Sequence, residues 1–382
     1  MKILFLVNAK PSNTYRRAYI FFNYLKCISN NEATFLYREG NIWNDFFYFL
    51  KQILFGKYDI VYIFEAFLPT FPFLFLILRF KLAKLVYDSG DIHFLNAELS
   101  GYNYLGKVFT KLNEFLAYNF SHKIIVRGGS AIQVISNLYR IPIDKILWIP
   151  DGVDLSKFES KNSKELRANL GLLGKFVLGY ASSIRTLKVG KMHTARGWEL
   201  LEIGKMMIKS GRFNFKILII GDGPGLNLLI KRSIDYGLKE YVIFTGFVSE
   251  KDYPKYLNCM DVGFYESINH PSYLVMMPTK LVEYMASSLP IVAGNIGEPK
   301  RTFADNGILY KPLEPDSSNL NSYLEEIFEG FCRLYDDPPL ALKMGRNSRQ
   351  IALQYYDWKT IRQSFLDALK KISGDSVITI TE

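Results

Sequence analysis

The stretch Lys216–Tyr236, KILIIGDGPGLNLLIKRSIDY, contains an apolar run of strand length, a glycine-rich turn and a segment of helical length. A continuous apolar run is typical of a parallel strand that is buried on both faces of its sheet. Similar runs recur along the chain, and segments of helical length lie between them. Strands and helices that alternate in this way predict an α/β fold built on right-handed, doubly wound parallel sheets.

The alternating pattern occurs twice, which predicts two Rossmann-like domains. A polar stretch, 156–170, separates the two series of apolar runs. We therefore expect an N-terminal domain over residues 1–160 and a C-terminal domain over residues 165–355. Apolar residues at helical spacing predict a final amphipathic helix over residues 356–372. The predicted strands lie at 2–7, 59–64, 84–87, 123–126 and 145–149 in the first domain, and at 175–180, 216–220, 241–245, 261–265 and 289–293 in the second.

The composition limits the classes of partner. The chain has 382 residues and a net charge of +10, and the positive excess is spread evenly over both halves. An even excess suits an anionic ligand or an anionic membrane surface. Proteins that bind nucleic acid usually carry a clustered basic stripe or a recognisable motif, and this sequence has neither. Nucleic acid is therefore not an expected partner.

Cysteine and histidine usage points to a reducing environment. The three cysteines, Cys27, Cys259 and Cys332, lie far apart, and the four histidines are scattered. This pattern favours neither a disulfide framework nor a structural zinc site. The N-terminus enters an apolar run without the basic region and cleavage site of a secretory signal. We therefore expect a cytoplasmic protein.

One apolar stretch raises the question of membrane contact. Residues 66–78, AFLPTFPFLFLIL, carry no charge, but a membrane-spanning helix needs about 20 such residues. Two interpretations remain open. In the first, the buried strand at 59–64 leads into a short buried helix. In the second, the stretch forms an aromatic lip that touches the bilayer while Arg79, Lys81 and Lys84 face the headgroups. A true membrane span is the least favoured alternative.

Candidate binding residues follow the predicted strands, because ligands of open parallel sheets bind beyond the carboxyl ends of the strands. Gly221, Asp222 and Gly223 directly follow one strand, where the turn either cradles an anion at the next helix or is only a turn. Asp151 follows another strand at the expected domain boundary. A ligand contact and an interdomain hinge are both compatible with that position.

The segment Pro278–Ala286 is the richest candidate. It reads as the start of a helix with Thr279 as its N-cap, and Lys280 and Glu283 fall one turn apart. In the functional interpretation, Glu283 accepts hydrogen bonds from a diol while Lys280 faces a phosphate. The alternative is a surface ion pair, which would contribute little to stability.

In combination, these motifs resemble the GT-B glycosyltransferases of family 4. The motifs occur in the order and spacing of that family, and the resemblance covers about residues 120–372. It implies two Rossmann-like domains that face each other across a cleft, with the final helix crossing back to the first domain. The matching stretches are IPDGVD (149–154), IIGDGP (219–224), VIFTGFVSEKDYPKYLNCMDVGFYES (242–267), PTKLVEYMASSLPIVA (278–293) and YDWKTI (356–361).

The resemblance implies roles for individual residues. The acid at Glu283 would hold the ribose hydroxyls of a nucleotide-sugar, and the turn at 219–224 would lie beneath the nucleotide. A basic pair would grip the diphosphate, where fixed cations stabilise the developing charge. Arg185 and Arg196 fit this pair, separated by an apparent insertion, TLKVGKMHTA; a solvated basic loop is the alternative. The other predicted binding residues are Pro278, Thr279, Lys280, His270, Asp91 and Asp151. For His270, which would approach the donor sugar, a role in the turn is the alternative.

The first domain departs from the family pattern. Family members often carry a histidine after Tyr-Asp-Ser, where this chain has Gly90. His93 reaches the same site only if the loop is rebuilt, and the alternative is an ordinary loop histidine. Asp88 and Asp91 either bind the acceptor or cap the next helix. The loop Asn8–Thr14, with Arg16 and Arg17 after it, is a further candidate for binding the acceptor substrate.

The sequence therefore predicts a glycosyltransferase. It would move a hexose from a UDP- or GDP-linked sugar to a hydroxyl of a glycan or lipid-linked glycan, with retention of configuration and with neither metal nor other cofactor. Cleft closure would exclude water. Because of Gly90, a non-catalytic sugar- or nucleotide-binding partner of another transferase is the alternative.

Overall fold

The computed structural model describes residues 1–7, 13–28, 32–65, 77, 83–97, 101–158, 163–304 and 306–374. The chain divides into two compact units. Unit 1 contains Met1–Asp151, the short segment Leu274–Met277 and the chain from Trp358 onward. Unit 2 contains Gly152–Tyr273 and Pro278–Asp357. The chain thus enters the second unit earlier than residue 160, because the Val153 amide already donates to the Tyr356 carbonyl at 2.9 Å.

Unit 1 is built on a six-stranded parallel sheet with the order β2-β1-β3-β4-β5-β6. The edge strand β2 has no counterpart among the predicted strands, because it is only partly buried and lacks a continuous apolar run. The other five coincide with predicted apolar runs. The strands are β1 (Lys2–Val7), β2 (Glu32–Tyr37), β3 (Ile60–Phe64), β4 (Lys84–Ser89), β5 (Lys123–Val126) and β6 (Ile146–Trp148).

Helices cover both faces of this sheet. Alternate residues of its strands point to opposite faces, so each face has its own apolar core. Helices α2, α4 and α5 contribute to the core on one face, and α1 contributes to the core on the other. The helices are α1 (Asn13–Ile28), α2 (Ile42–Phe55), α3 (His93–Asn96), α4 (Tyr104–Phe120) and α5 (Ala131–Tyr139).

Unit 2 has a second six-stranded parallel sheet, with the order β11-β10-β7-β12-β13-β14, and a separate antiparallel hairpin, β8-β9. The predicted strand runs are all found, although the run at 289–293 begins two residues later than expected. The strands are β7 (Phe176–Ala181), β8 (Thr186–Val189), β9 (Met192–Ala195), β10 (Phe215–Ile220), β11 (Val242–Phe244), β12 (Val262–Tyr265), β13 (Ile291–Gly294) and β14 (Ile308–Tyr310).

The core of unit 2 lies between its sheet and the helices around it, with Trp198 among its largest fully buried side chains. The helices are α6 (Lys164–Asn169), α7 (Trp198–Lys209), α8 (Leu226–Asp235), α9 (Tyr253–Leu257), α10 (Pro271–Val275), α11 (Thr279–Ala286), α12 (Gly297–Phe303), α13 (Leu320–Asp336) and α14 (Pro338–Tyr355). The last two residues of α10, Leu274 and Val275, belong to unit 1. This arrangement places the ends of β7, β10 and β12 at one edge of the sheet.

The last helix, α15 (Trp358–Ser373), belongs to unit 1. Its apolar stripe joins the core that α1 also covers, and the Phe365 ring stacks on the Phe21 ring with centroids 4.2 Å apart. The apolar stretch 66–78 lies outside the described residues, apart from Ile77, as do Asn8–Ser12 of the first loop. In the part of the chain that the structure describes, no helix is long and apolar enough to span a bilayer.

Candidate functional site

The glycine-rich turn after β10 packs against the segment that follows β7. Gly221 has φ 132°, in the left-handed region that favours glycine, and a Cβ there would overlap the Ser182 carbonyl oxygen. The Ile184 amide donates to the Asp222 carbonyl at 2.9 Å, and the Gly225 amide donates to the Ile184 carbonyl at 2.8 Å. The backbone of the turn therefore fixes the residues just before Arg185.

The apparent insertion between Arg185 and Arg196 is the β8-β9 hairpin. Thr186 pairs with Ala195 across the hairpin, and the Arg196 amide donates to the Arg185 carbonyl at 3.0 Å. Ten residues that separate the two arginines in sequence thus bring them side by side at the base of the hairpin. Arg185 is exposed and Arg196 is partly buried. Their guanidinium groups are able to bind a diphosphate in bidentate fashion.

Glu266, the residue after β12, is the centre of a buried charged cluster. Lys280 Nζ lies 2.8 Å from Glu266 Oε2, and the Tyr180 hydroxyl donates to Glu266 Oε1 at 2.8 Å. Arg196 Nε lies 3.8 Å from the same Oε1 atom. Burial alone would raise the pKa of Glu266, but Lys280 and Arg196 hold it below its usual value. Glu266 is therefore ionised at neutral pH.

Lys280 is enclosed by this cluster. Its Nζ atom lies 4.5 Å from the Tyr180 ring centroid and 5.0 Å from the Tyr265 ring centroid. Burial lowers the pKa of Lys280, and the carboxylate of Glu266 opposes that shift. In the functional interpretation of the sequence, Lys280 faces a phosphate. In the structure, its charge is balanced by Glu266, a residue that the sequence analysis had not singled out.

A second buried acid, Glu199, lies close to the cluster. It occupies the first turn of α7, is 4% exposed, and accepts a hydrogen bond from the Tyr323 hydroxyl of α13 at 3.1 Å. Burial and the nearby charge of Glu266 raise the pKa of Glu199 to about 8. Glu199 therefore holds a proton at neutral pH. In the sequence it stands two residues after Gly197, in none of the motifs quoted above.

Glu283 of α11 has a partner of its own. The Tyr253 hydroxyl, at the start of α9, donates to Glu283 Oε2 at 3.0 Å. Lys280 and Glu283 do fall one turn apart on the helix, but they contact different partners, so the alternative of a mutual surface ion pair is wrong. Tyr253 lay inside a quoted motif, but nothing in the sequence indicated that it would reach Glu283.

The start of α11 differs from the prediction. The N-cap position is Pro278, with φ −70° and ψ 124°, and Thr279 is the exposed first residue of the helix. Proline carries no side-chain acceptor, so the predicted Thr279 N-cap is wrong. His270 lies in the turn before α10, where its Nδ1 accepts from the Ser272 amide at 3.2 Å. Its side chain thus serves the turn, one of its two predicted alternatives.

Unit 1 has its own buried charged network at the carboxyl edge of its sheet. Arg17 of α1 is 1% exposed and donates to Asp88 Oδ2 and to Asp151 Oδ1, each at 3.0 Å. It also donates to the Ile149 and Pro150 carbonyls. The prediction that Arg17 binds the acceptor substrate is therefore wrong, because its guanidinium is buried and bonded to groups of its own unit.

The same network buries Asp88 fully and leaves Asp151 only partly exposed. Asp88 is fully buried and also accepts from the Tyr62 hydroxyl at 3.1 Å. Burial would raise the pKa of Asp151, but Arg127 and Arg17 hold it below its usual value. Asp88 therefore neither binds an acceptor directly nor caps a helix. The Asp151 carboxylate fastens the end of β6 to α1.

Gly90 has a physical explanation in the structure. Glu65, which adopts φ 51° after β3, forms an ion pair with Arg127 at 3.0 Å. A Cβ at Gly90 would overlap Glu65 Oε1 and would lie 3.1 Å from Arg127 Cζ. The space beside position 90 is thus occupied by the Glu65 carboxylate, and a larger residue fits there only if that carboxylate moves away.

Asp91 and His93 lie next to this pair, and both are partly exposed. Burial raises the pKa of Asp91, and His93 and Arg127 oppose the shift. Burial lowers the pKa of His93, against the charges of Glu65 and Asp91. The N-cap of α3 is Ile92, so Asp91 does not cap that helix. The structure thus brings His93, Asp91 and Glu65 together within unit 1.

Part of the chain is similar in sequence to known glycosyltransferases. The family described as Glycosyl transferases group 1 matches residues 185–326, less than half of the chain. An uncharacterized glycosyltransferase of Methanocaldococcus jannaschii is 25% identical over 260 residues, which are 67% of this chain and 62% of that protein. Alpha-monoglucosyldiacylglycerol synthase of Streptococcus pneumoniae is 23% identical, over 53% of this chain and 45% of that protein. The chain thus spans about half the length of these relatives.

The fold match extends over nearly the whole chain. The crystal structure of HepE from Anabaena in complex with UDP superposes with a TM-score of 0.71 at 19% identity, over 97% of this chain and 100% of that one. The chain has the GT-B fold. The family match begins at Arg185 and takes in the hairpin, the glycine-rich turn and α11, whereas Asp91, His93 and Asp151 precede it.

Proposed function

We propose that the protein is a glycosyltransferase of the family-4 type that binds a nucleotide-sugar on unit 2. The observation that carries the proposal is the pairing of two features in the matched region. Arg185 and Arg196 lie side by side next to the glycine-rich turn, and the Glu283 carboxylate is held by Tyr253. Cations suit a diphosphate, and a carboxylate that accepts hydrogen bonds suits a ribose diol.

The proposed reaction breaks the bond between the anomeric carbon and the diphosphate oxygen of the donor. A bond forms between that carbon and an acceptor oxygen, with retention of configuration, and the acceptor proton leaves with the nucleoside diphosphate. Negative charge grows on the departing phosphate, and the two arginines would stabilise it in a partly buried site. In this proposal the arginines take over the charge balance that a divalent metal would otherwise supply.

The donor that we favour carries UDP, and a GDP-sugar is the second choice. HepE, which has the same fold, is described in complex with UDP. The proposed acceptor is a hydroxyl of a glycan or lipid-linked glycan, and the name of the S. pneumoniae relative supports a lipid-borne acceptor. We place the reaction in the cytoplasm, in keeping with cysteines that are free thiols in the structure.

Thermal shift with a panel of nucleotides and nucleotide-sugars tests the donor site. We expect UDP or a UDP-sugar to raise the melting temperature, and Glu283→Ala to abolish the shift without unfolding the protein. Tyr253→Phe should weaken donor affinity about three- to ten-fold, because one hydrogen bond to Glu283 is lost. Glu325→Ala, which changes an exposed acid of α13, is the matched control.

Product analysis then separates the transferase from the alternative function. A transferase releases free nucleotide from the donor, slowly with water and faster with an acceptor. Donor binding without turnover across a broad acceptor panel would favour a non-catalytic partner subunit, the alternative that Gly90 suggests. An unchanged donor affinity in Glu283→Ala would contradict the assigned nucleotide site.

A further inference from the structure

Helix α4 carries large apolar side chains on its solvent side. Tyr104 is 79% exposed and Leu105 is 74% exposed, and four more apolar residues of the helix are exposed as well. At 3.6 residues per turn, the six side chains occupy an arc of about 140°. They form one continuous stripe along the helix. The stripe consists of Tyr104, Leu105, Val108, Phe109, Leu112 and Phe115.

The inner side of the same helix is partly polar, which is the reverse of an ordinary surface helix. Thr110, Asn113 and Glu114 are buried. Glu114 accepts hydrogen bonds from the Tyr139 hydroxyl and from the Phe94 amide. These bonds fix the rotation of the helix, so the apolar stripe cannot turn inward without leaving a buried carboxylate without its donors.

The charges around the stripe are positive. Lys107 and Lys111 border it on one side, and Lys111 Nζ lies 5.0 Å from the Phe94 ring centroid. Glu114 is the only acidic residue in the sequence of the helix, and it is buried. The exposed side of α4 thus combines apolar side chains with cations and presents no carboxylate of its own.

Helix α2 also exposes large apolar side chains, on the same face of the unit 1 sheet, since both helices contribute to one apolar core. Its exposed face carries Lys51, and its Asp45 accepts from the Gly40 amide at 3.1 Å. The large apolar residues that α2 exposes are Trp43, Phe47, Tyr48, Leu54 and Phe55.

We propose that the exposed faces of α2 and α4 bind an anionic lipid bilayer, with both helices lying in the headgroup region. Aromatic and aliphatic side chains bordered by lysines fit the boundary between headgroups and acyl chains. The lysines fit anionic headgroups, and the positive excess of the whole chain adds to the attraction. The surface consists of residues outside the stretch 66–78 and depends on neither the donor site nor the transferase reaction.

Flotation with lipid vesicles tests the proposal on the full-length protein. We expect it to float with vesicles of phosphatidylcholine and phosphatidylglycerol, and at least ten-fold more weakly with phosphatidylcholine alone. The triple variant Tyr104→Ser/Leu105→Ser/Leu112→Ser should lose at least ten-fold in binding. Lys107→Glu/Lys111→Glu should lose most of the preference for anionic vesicles. Higher salt should also weaken the binding of the wild-type protein to anionic vesicles.

The matched control is Phe213→Ser/Ile234→Ser/Leu342→Ser, which changes three exposed apolar residues of unit 2. We expect this variant to bind vesicles like the wild type. Because the substituted side chains are exposed, or partly exposed in the case of Lys107, every variant should keep the wild-type melting temperature. Trp43, which is 58% exposed, should also shift its emission to the blue when anionic vesicles are added, and Trp43→Phe should remove that shift.

Three results would overturn the proposal. The wild type does not float, or the α4 variant floats as well as the wild type, or the unit 2 control loses as much binding as the α4 variant. Light scattering tests whether a second copy of the chain, and not a bilayer, binds to the exposed faces of α2 and α4. A wild-type dimer that the α4 variant breaks, with vesicle binding unchanged, assigns the face to self-association and rejects the lipid surface. Donor binding is measured separately, so its failure leaves this test intact.

Discussion

At the scale of single residues, the charged groups of each unit are arranged to neutralise one another. Arg17 satisfies Asp88 and Asp151 in unit 1, and Lys280 satisfies Glu266 in unit 2. A buried charge without a partner costs several kcal/mol, so these pairs are fixed parts of each unit. The candidate ligand contacts of the sequence therefore divide into two groups. Some are buried in ion pairs within their own unit, and the others lie at the surface.

Gly90 provides a test at this scale. We expect Gly90→Ala to lower the free energy of unfolding by about 1–3 kcal/mol, because the new Cβ displaces Glu65 from Arg127. In a Glu65→Ala background the same substitution should cost much less, since the overlapping carboxylate is gone. Urea unfolding of the four proteins measures this coupling.

The control for that cycle is Gly40→Ala, where a Cβ would meet nothing within 4 Å. Its free energy of unfolding should differ little from that of the wild type. An equal cost of Gly90→Ala in both backgrounds would mean that Glu65 is not what excludes a side chain from position 90.

The site also shows how far sequence reasoning reaches. The motif around Pro278 placed Lys280 and Glu283 on one helix correctly, because helical spacing is a local property. The partners of both residues, Glu266 and Tyr253, come from other segments of the chain. Such pairings depend on how elements pack, and the local spacing of residues in a single sequence does not predict them. Arg17 was misread for the same reason, since its burial is decided by distant residues.

At the scale of elements, the β8-β9 hairpin and the α7 helix shape the candidate donor site. The hairpin appears in the sequence only as an insertion, yet its antiparallel pairing is what joins Arg185 to Arg196. Helix α7 begins right after Arg196 and Gly197 and brings Glu199 beneath the cluster, where Tyr323 of α13 binds it. Thus α7 and α13 are tied together by a buried acid.

That acid predicts a pH dependence of stability. The pKa of Glu199 is about 8 in the folded protein, against an ordinary value of 4.5. Between these values only the folded protein holds the proton, so the free energy of unfolding falls as pH rises, by about 1.4 kcal/mol per pH unit at most. Glu199→Gln lacks this loss, so its free energy of unfolding should increase relative to that of the wild type from pH 5 to pH 9.

Urea unfolding at several pH values measures the difference between the two proteins. Glu325→Gln, at an exposed position of α13, serves as the control and should differ from the wild type by a constant amount. A difference between Glu199→Gln and the wild type that stays constant from pH 5 to pH 9 would show that Glu199 does not bind a proton in the folded state.

At the scale of the whole molecule, the sequence predicted the two Rossmann-like sheets well, because buried parallel strands leave continuous apolar runs. It missed β2 and β14, the partly buried edge strands of unit 1 and unit 2. The closing helix α15 was predicted from its apolar spacing, and the structure shows that it fills the core of unit 1 beside α1. The chain therefore begins and ends its described part in the same unit.

Phe365 tests the contribution of α15 to that unit. The side chain is fully buried and stacks on Phe21. We expect Phe365→Ala to lower the free energy of unfolding by about 3–5 kcal/mol, because a large cavity is left in the core. The exposed Gln363→Ala should have little effect. Equal stability of both variants would mean that α15 contributes little to unit 1.

The central claim is that unit 2 binds a nucleotide-sugar through Glu283 and the two arginines at the base of the hairpin. The most direct measurement is a crystal structure of the protein with UDP or the UDP-sugar that stabilises it most. We predict the ribose hydroxyls at the Glu283 carboxylate and the diphosphate at Arg185 and Arg196. A nucleotide bound elsewhere, with Glu283 still held only by protein groups, would contradict the account.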